Sequence, residues 1–457
     1  MFKSQFQALS PKLSSMYSLS DYHYILPADL IAQEAIHPHH DARMMVIDRD
    51  SGKLQSEDTF WNIDQHLGDD RVIFFNDSRV VRSRITLANT PYTKRDGTRA
   101  ILADGEIFYL STTTENEFEA LVRPGNRFKI GTVFTIGNYL IEVVGITEAG
   151  RVLRINNWEL TIENFLATYG ALPLPPYIEY SAEKEVDYQT SFAKTDGSVA
   201  APTASLHFTT ELMERIKTPK EYLTLHVGLG TFKGIATPDI RDYDIHREKI
   251  EIELDIFARI ADIKTGNKRV VAVGTTACRT LESLPYLWQS LDQDIHDWFD
   301  ANTRKYWDCL TKLLKTQDWI HDVAVESNSI NRYEIPQKQE IRGREDFSNW
   351  AYEWISVTQG YFQCDKVAKG HIEKSLPDNE VRSFSGISFE TSIYITPGYT
   401  FHIIDDLVTN FHLGESSLLV LVSAFLGYDA TMAIYEYALE HRYRFYSFGD
   451  GMYIRGK

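Results

Sequence analysis

The chain has 457 residues, of which 43% are hydrophobic and 24% are charged, and its formal net charge is −17 at pH 7. These values are typical of a soluble globular protein with two or three domains. The acidic balance does not suggest a nucleic-acid binder, although a local stripe of Lys and Arg could still contact phosphate. No apolar run is long enough for a transmembrane helix or a signal peptide. The three widely spaced cysteines argue against a disulfide framework and predict a reducing, cytoplasmic setting.

The first predicted elements follow a polar leader, residues 1–20. Residues 44–54 read as a strand, an Asp-Ser-Gly turn and the start of a second strand. Residues 72–75 are a continuous apolar run, which is consistent with a strand buried on both faces. Arg79 and Arg82 follow closely, and such arginines either hold phosphate or belong to a solvated strand face.

Residues 85–155 have the pattern of a separate all-β domain. Short runs of alternating hydrophobicity, such as GEIFYL, FEALVR and YLIEVVGI, are divided by turn residues. About five or six short strands at this spacing predict a small barrel. The proline-rich stretch 171–180 predicts extended chain, which is either a polar linker or, with its tyrosines and leucines, a packed wall.

The central stretch, residues 188–232, combines a Gly-containing loop, the run AAPTASLHF, a helix-like TTELMERIK and a strand-like YLTLHV that ends in GLGTF. His207 and His226 lie at the ends of these elements, beside small residues that let a ligand approach the backbone. The alternative interpretation is a tight turn between a helix and a strand. Further along, His246 and Glu248 would share one face of a strand.

The stretch 269–284 reads as a buried strand, a Gly-Thr-Thr turn and a helix. A helix N-terminus at the end of a strand is a ready anion-binding site. Thr275 or Thr276 would cap this helix, and Arg279 and Glu282 would lie on one of its faces. For these last two residues, a surface ion pair is the alternative to a functional role.

The region 286–388 differs in character from the rest of the chain. It contains six of the eight tryptophans, and residues 298–314 space their apolar side chains as a helix does. We interpret the region as a helical, Trp-rich insertion. Because it is acidic overall, its tryptophans are interpreted as core rather than as a platform for stacking bases.

Towards the end of the chain, residues 414–427 are apolar on nearly all faces and predict a buried helix with Glu415 in its first turn. No dinucleotide, nucleophile-elbow or zinc-protease signature fits. The H-P-H-H run at 37–40 lacks partners at tetrahedral spacing, so no metal site is predicted. Polar residues gather instead at the ends of elements: His207, His226, His246, Arg279, Asn410, His412 and Glu415. This set indicates an acid–base enzyme that binds an anionic or polar ligand.

Seven stretches stand out in chain order: VIFFNDSRV, LPLPPYIEY, AAPTASLHF, LTLHVGLGTF, AVGTTACRTLES, DDLVTNFHLGESSLLVLVSAF and YRFYSFGDGMYI. Together they resemble the motifs of the S-adenosylmethionine:tRNA ribosyltransferase-isomerase family of queuosine biosynthesis. The resemblance implies a large α/β domain, here residues 21–84, 156–285 and 389–457. A small all-β barrel domain, residues 85–155, is inserted into it, and the helical insertion, residues 286–388, is additional.

The resemblance also implies a reaction. The ribosyl group of S-adenosylmethionine would be transferred and isomerised onto 7-aminomethyl-7-deazaguanine at the tRNA wobble position. The products would be epoxyqueuosine-tRNA, adenine and methionine. This chemistry needs a base beside the sulfonium, a proton for the departing adenine and a deprotonated acceptor amine. S-adenosylmethionine and tRNA are then the implied partners, no metal and no membrane are implied, and the oligomeric state cannot be read from the sequence.

Roles for individual residues follow from the same resemblance. The catalytic candidates are His207, His226, His412 and Glu415, the three histidines as acid–base groups. The methionine carboxylate would be bound by Thr275, Thr276 and Arg279. Asn410, with Glu415, would bind the ribose or the cation. The tRNA phosphates would meet Arg79 and Arg82.

The chain departs from the family pattern in several places. Residues 76–79 read Asn-Asp-Ser-Arg where relatives usually have Asn-Asn-Thr-Arg, and residues 414–417 read Gly-Glu-Ser-Ser where they have Pro-Glu-Ser-Thr. His39 stands where an arginine is expected. These changes leave open a divergent paralogue with a different acceptor, or a non-catalytic RNA-binding protein on the same fold. The insertion could contact tRNA, form a dimer or cover the site.

Overall fold

Two β-structures, a large open sheet and a small closed barrel, organise the computed structural model. The structure describes residues 15–147, 150–156, 161–232, 234–291, 296–297, 299–315, 362–364 and 387–456. In these ranges the strands are β1 (Arg43–Asp48), β2 (Lys53–Thr59), β3 (Arg71–Asn76), β4 (Ser78–Val80), β5 (Arg84–Thr93), β6 (Arg99–Thr114), β7 (Glu117–Arg123), β8 (Val133–Ile136), β9 (Tyr139–Ile146), β10 (Arg151–Ile155), β11 (Thr195–Ser198), β12 (Lys220–His226), β13 (Glu248–Ile252), β14 (Arg269–Val273), β15 (Phe362–Cys364), β16 (Ile387–Thr391), β17 (Asp406–Asn410) and β18 (Gly451–Arg455). The helices are α1 (Ile63–Leu67), α2 (Ile162–Tyr169), α3 (Lys184–Asp187), α4 (Thr210–Arg215), α5 (Ile256–Thr265), α6 (Gly274–Ser290), α7 (Ala301–Lys315), α8 (Ser417–Leu426) and α9 (Tyr428–Glu440).

The large sheet has ten strands in the order β15-β16-β13-β12-β3-β14-β17-β18-β1-β2. Its centre is parallel, because β12, β3, β14 and β17 pair in the same direction, whereas both margins contain antiparallel pairs. Every residue of β3 and β17 is buried, and β3 has four consecutive apolar side chains. Parallel strands are covered on both faces, so they read as continuous apolar runs rather than as alternating ones. The prediction of a buried strand at 72–75 is confirmed.

The barrel closes in the order β10-β7-β6-β5-β8-β9. Its strands alternate between buried and exposed positions, so that side chains such as Ile107, Phe118 and Phe134 fill the interior. Alternation of this kind is expected where one face of a strand lines a core and the other meets solvent. The predicted fold class, a mixed α/β domain with a small all-β barrel, is confirmed.

Two predictions about helix starts are wrong. The apolar helix α8 begins at Ser417, and its N-cap is Ser416, whose hydroxyl accepts from the Leu419 N–H at 3.2 Å. Glu415 therefore precedes the helix, with a positive φ of 57°. Helix α6 already begins at Gly274, so neither threonine of the Gly-Thr-Thr turn is its cap.

Arg279 and Glu282 of α6 do not form the surface ion pair that was the alternative interpretation, because both side chains are buried and have other partners. Glu282 accepts hydrogen bonds from the backbone N–H groups of Ile403 and Ile404, each at 2.9 Å. Its carboxylate thereby fixes the chain before β17. Arg279 belongs to the candidate active site's surroundings.

The described ranges contain the first part of the Trp-rich insertion and, further along, only the short segments 362–364 and 387–388. Trp307 of α7 is buried, and its Nε1 donates to the Phe257 carbonyl at 2.8 Å. Trp288 packs beside it, with ring centroids 5.8 Å apart. Both tryptophans belong to the core, as predicted. Residues 316–361 and 365–386, on which the rest of the helical prediction falls, lie outside the described residues.

In the part of the chain that the structure describes, no single helix has the length and apolar character needed to cross a membrane. Helices α8 and α9 meet that criterion only as a pair, bent by 115° at the break between them.

Candidate active site

A cleft opens where the parallel strands β12, β14 and β17 end. These strands lead directly into Val227, Gly274 and Phe411, all three of which line a cavity of about 150 Å³. The segments 200–204 and 446–447 complete much of the wall. Ligands of open α/β sheets bind at this edge because the loops that follow parallel strands converge there. The sheet thus places the site, and the loops supply its chemistry.

The first turn of α6 forms one side of the cleft. Gly274 has a φ of +86°, which few other residues tolerate, and it allows the strand to turn directly into the helix. The first backbone N–H groups of a helix have no partner within the helix, and the helix dipole favours an anion beside them. Thr275 and Thr276 line the cavity next to these groups. The Thr276 hydroxyl is buried without a hydrogen-bond partner among the described residues, so it is free to donate to a ligand.

Asn410 and His207 form a buried pair at the back of the cleft. Asn410 Nδ2 donates to the Tyr446 carbonyl at 3.0 Å and lies 3.3 Å from His207 Nε2. The His207 ring stacks on Phe60, with centroids 3.9 Å apart, and is not part of the lining. Burial lowers the pKa of His207 to about 3, so its neutral ring can accept from Asn410. Within the described residues Asn410 Oδ1 has no partner, and it is available to a ligand.

His412 is the one imidazole or carboxylate among the described lining residues. Its Nε2 lies 2.8 Å from Thr409 Oγ1. Its backbone is held on both sides, since the N–H donates to the Tyr435 hydroxyl at 2.9 Å and the carbonyl accepts from the Tyr24 hydroxyl. Burial lowers the pKa of His412 to about 3, so the ring is neutral at pH 7. A neutral, firmly placed imidazole can accept a proton from a bound ligand.

The buried neutral state of His412 should make the stability of the protein depend on pH. The pKa of His412 is lowered from 6.5 to about 3 in the folded protein, so the unfolded chain binds more protons between these values. The free energy of unfolding should fall as the pH drops through this window, by up to about 1.4 kcal/mol per pH unit from this residue. Urea denaturation of the wild type and His412→Gln between about pH 7 and 4 measures the effect. The stability difference between the two proteins should shrink as the pH falls, and a difference independent of pH would contradict the assignment.

His226 and Glu415, two further catalytic candidates, are not among the lining residues. His226 ends β12, and its Nε2 lies 3.2 Å from Glu251 Oε1. Its ring packs so closely on Gly197 that a Cβ there would collide with it. The Glu415 side chain is 42% exposed and lies 3.4 Å from His23 Nδ1. Of the predicted site residues, the cleft lining brings together Thr275, Thr276, Asn410 and His412.

Arg79 and Arg82 also lie outside the lining, and each has partners within the protein. Arg79 Nε lies 3.4 Å from Asp196 Oδ1. Arg82 Nε donates to the Gly170 carbonyl at 2.7 Å, and Arg82 Nη1 lies 3.2 Å from Glu185 Oε2. Both arginine side chains are 49% exposed, so part of each guanidinium still faces solvent.

Arg279 is buried behind the cleft in an ion pair with Glu248. The Glu248 carboxylate also accepts from the Gly228 N–H at 3.2 Å and from the Thr231 hydroxyl at 3.0 Å, and it lies 3.2 Å from His246 Nε2. Although burial raises the pKa of Glu248, Arg279 and His246 together lower it to about 2. Because Thr231 also lines the cavity, this cluster supports the cleft wall.

Tyr177, Tyr446 and Ser447 are among the lining residues that were not sequence candidates. The Tyr177 and Tyr446 rings lie 4.6 Å apart, and the Tyr177 and Ser447 hydroxyls are 2.9 Å apart. These residues stand inside LPLPPYIEY and YRFYSFGDGMYI, two of the stretches that carry the family resemblance. Their position in those stretches could have marked them as candidates for the site.

A strand-end cleft with a helix N-terminus and a neutral imidazole in its wall is the usual arrangement of a ligand site in an α/β enzyme. The family model described as "Queuosine biosynthesis protein" matches residues 19–307 and 372–454. The S-adenosylmethionine:tRNA ribosyltransferase-isomerase of Halothermothrix orenii is 33% identical over 95% of this chain and 99% of its own. The protein of the same name from Clostridioides difficile is 30% identical over the same shares. A solved S-adenosylmethionine tRNA ribosyltransferase from Thermotoga maritima has a TM-score of 0.42 and 23% identity, covering 95% of this chain and 100% of that one. The chain belongs to the queuosine biosynthesis family of S-adenosylmethionine:tRNA ribosyltransferase-isomerases.

Proposed function

We propose that this protein transfers the ribosyl group of S-adenosylmethionine to 7-aminomethyl-7-deazaguanine at the tRNA wobble position and isomerises it. The products are epoxyqueuosine-tRNA, adenine and methionine, and the reaction takes place in the cytoplasm. The observation that carries the proposal is the cleft, in which the first residues of α6 and a neutral imidazole line the same cavity. Similarity to relatives of this name over nearly the whole chain supports it.

The methionine part of S-adenosylmethionine would lie at the N-terminus of α6. Its carboxylate would accept hydrogen bonds from the first N–H groups of the helix, which have no partner within the helix, and from the unpartnered Thr276 hydroxyl. A ribose hydroxyl would donate to the unpartnered Asn410 Oδ1. The rings of Tyr177 and Tyr446 in the cleft wall offer an apolar surface for adenine. Each part of the donor thus meets a group of matching chemistry.

His412 would carry the proton. The proposed reaction needs a base beside the sulfonium, where the positive charge acidifies the adjacent C–H group. The neutral His412 ring can take that proton and, once protonated, can give one to the departing adenine. Asn410, which His207 positions from behind, would hold the ribose while this transfer occurs. The cleft therefore holds one candidate for both the base and the acid role.

The tRNA would meet the exposed parts of Arg79 and Arg82. The formal net charge of −17 disfavours broad contact with the nucleic acid backbone, so local basic groups would have to supply the phosphate contacts. Both arginines keep half of their side chains exposed beyond their internal partners. His226, Arg279 and Glu415 would act on the site indirectly, through the elements that they hold.

Replacing Thr276 with Val should weaken the binding of S-adenosylmethionine by about tenfold, or about 1.4 kcal/mol, because the change removes a hydrogen bond to a charged ligand. Thr280→Val is the matched control, since its hydroxyl lies one turn further along α6 and donates to the Thr276 carbonyl at 3.0 Å. Isothermal titration calorimetry would compare the two variants with the wild type. Equal affinity in the two variants would contradict the placement of the carboxylate.

An adenine-release assay tests the reaction itself. The protein and S-adenosylmethionine are mixed with tRNA that carries the aminomethyl-deazaguanine, or with the same tRNA carrying guanine. We expect adenine only with the modified tRNA. If S-adenosylmethionine binds but neither tRNA supports release, a divergent paralogue with another acceptor is favoured. If S-adenosylmethionine does not bind, the proposal is wrong.

A further inference from the structure

Two histidines from the H-P-H-H run meet an aspartate at the end of α3. His39 Nε2 lies 3.2 Å from Asp187 Oδ1, and His37 Nε2 lies 3.3 Å from Asp187 Oδ2. One ligand atom from each of the three residues can be chosen so that all lie within 4.8 Å of one another. His39 and Asp187 are largely buried, whereas the His37 side chain is 66% exposed. The three residues therefore form a compact cluster of two imidazoles and one carboxylate that opens to solvent on one side.

The spacing of the cluster fits the coordination of a metal ion. Imidazole nitrogens and carboxylate oxygens bind Zn²⁺ at about 2.0–2.2 Å. Two such atoms that subtend a right or tetrahedral angle at the ion are then about 3.0–3.4 Å apart. The two nitrogen–oxygen distances, 3.2 and 3.3 Å, fall in this range. The exposed His37 ring has the freedom to rotate towards the position that the ion requires.

His39 is oriented as a metal-ligating histidine is. Its Nδ1 lies 3.1 Å from the Leu206 carbonyl. A backbone carbonyl can only accept, so Nδ1 carries the proton and Nε2, the nitrogen beside Asp187, is left with its lone pair. A hydrogen bond from the second ring nitrogen to a carbonyl is the usual way in which a protein fixes the tautomer of a metal ligand.

The proton on His39 Nδ1 argues against a simple hydrogen bond between His39 and Asp187. In a neutral ring with the proton on Nδ1, Nε2 has no hydrogen to give to the Asp187 carboxylate, so the contact would place a lone pair against a negative oxygen. A cation between Nε2 and the carboxylate would relieve this contact. The chain has a single-histidine contact for comparison, in which His66 Nε2 lies 3.0 Å from Asp58 Oδ2. Asp187 differs because two imidazoles converge on it.

The cluster lies next to the cleft but is not part of its lining. Asp187 directly precedes Tyr188, which lines the cavity. The His39 ring lies 3.1 Å from the carbonyl of Leu206, and the next residue, His207, contacts Asn410. A cation in the cluster would tie the residues around His39 to the end of α3, and would thereby stiffen two segments behind the cleft wall.

We propose that His37, His39 and Asp187 form a binding site for a divalent transition-metal ion, of which zinc is the test ion. Two imidazoles and one carboxylate leave open coordination positions and suit Zn²⁺ and its first-row neighbours rather than Mg²⁺ or Ca²⁺. The inference departs from the sequence prediction of no metal site. His39 and Asp187 are 148 residues apart, and no local spacing reveals that they meet. The site does not depend on the proposed ribosyl transfer.

Zinc binding by the full chain tests the proposal. The purified protein is treated with a chelator, exchanged into a weakly coordinating buffer and titrated with zinc chloride in a calorimeter. We expect one zinc per chain at the site, with affinity reduced at least tenfold in His37→Gln and in Asp187→Asn. His66→Gln is the matched control, because it removes an imidazole from the single-histidine contact, and its affinity should equal that of the wild type.

The His37→Gln variant is the decisive test of the site, because the His37 side chain is exposed and can be changed without loss of packing. Zinc should also raise the melting temperature of the wild type and of His66→Gln, but not that of His37→Gln, since a ligand that binds only the folded state stabilises it. If the wild type takes up no stoichiometric zinc, or if His37→Gln binds it with undiminished affinity, the proposed site is overturned.

Discussion

Replacing His412 with Gln should lower kcat for ribosyl transfer by about 10²- to 10⁴-fold, which is the usual contribution of a general base or acid. The reason is that His412 is the one imidazole or carboxylate among the described lining residues, and burial keeps its ring neutral at pH 7, with a lone pair for a proton from the substrate. Gln keeps a polar group near Thr409 but cannot take up the proton. The affinity for S-adenosylmethionine should change little, because the α6 N-terminus is intact. Single-turnover adenine release, with calorimetric binding measured in parallel, separates the two effects.

His441→Gln provides the matched control for this experiment. His441 Nδ1 lies 2.9 Å from the Tyr437 carbonyl at the end of α9, and the residue is exposed and is not part of the cleft lining. It should leave both kcat and the affinity unchanged. A His412→Gln enzyme that works within about threefold of the wild type would exclude His412 as the proton carrier and direct attention to the tyrosines of the wall.

Replacing Arg279 with Leu should lower the free energy of unfolding by about 3–5 kcal/mol, because breaking a buried ion pair leaves an uncompensated charge. The group left without its partner is the Glu248 carboxylate, and Glu248 is 2% exposed. Arg279 also donates from Nε to the Ile393 carbonyl at 3.2 Å, so a second buried acceptor loses its donor. Urea denaturation monitored by circular dichroism measures the loss. Arg279→Lys, which keeps the positive charge, should recover part of it.

Arg304→Leu is the control for the buried pair. Arg304 Nη1 lies 3.0 Å from Asp297 Oδ1 in an exposed pair, and exposed pairs contribute only about 0–1 kcal/mol. If Arg279→Leu costs no more than Arg304→Leu, the Glu248 carboxylate is not held by its buried partner. The low pKa of Glu248 would then not be due to Arg279.

The sheet and the barrel could be predicted because their strands have different patterns of apolar residues in the sequence. The run at 72–75 is apolar throughout, since β3 is buried on both faces. The strands of the barrel alternate, since one face of each meets solvent. Gly274 also marked the turn before α6, because a positive φ at the end of a strand selects glycine.

The surroundings of the site could not be predicted, because they depend on contacts between distant residues. Arg279 and Glu282 are neighbours on one helix, but Arg279 pairs with Glu248 from β13, whereas Glu282 binds the backbone before β17. Their spacing on the helix favoured a pair between Arg279 and Glu282, but each side chain instead binds a buried partner from another part of the chain. Glu415 was predicted in the first turn of α8, but the Ser416 hydroxyl caps the helix and Glu415 precedes it.

Four of the ten predicted site residues line one cleft, and the reason is topological. Thr275, Thr276, Asn410 and His412 follow or end neighbouring parallel strands, so the fold places them at one edge of the sheet. His207 and Arg279 lie one layer behind them, where pattern alone cannot distinguish a supporting residue from one that touches the ligand. The contacts of His207 with Asn410, and of Arg279 with Glu248, reveal that layer.

The most direct measurement is mass spectrometry of the nucleosides from tRNA that carries 7-aminomethyl-7-deazaguanine, after incubation with the wild-type protein and S-adenosylmethionine labelled with ¹³C in the ribose. The account predicts that the labelled five-carbon unit appears on the modified base, together with one equivalent each of adenine and methionine. An unlabelled base, in a sample where S-adenosylmethionine is shown to bind, would contradict the proposed acceptor.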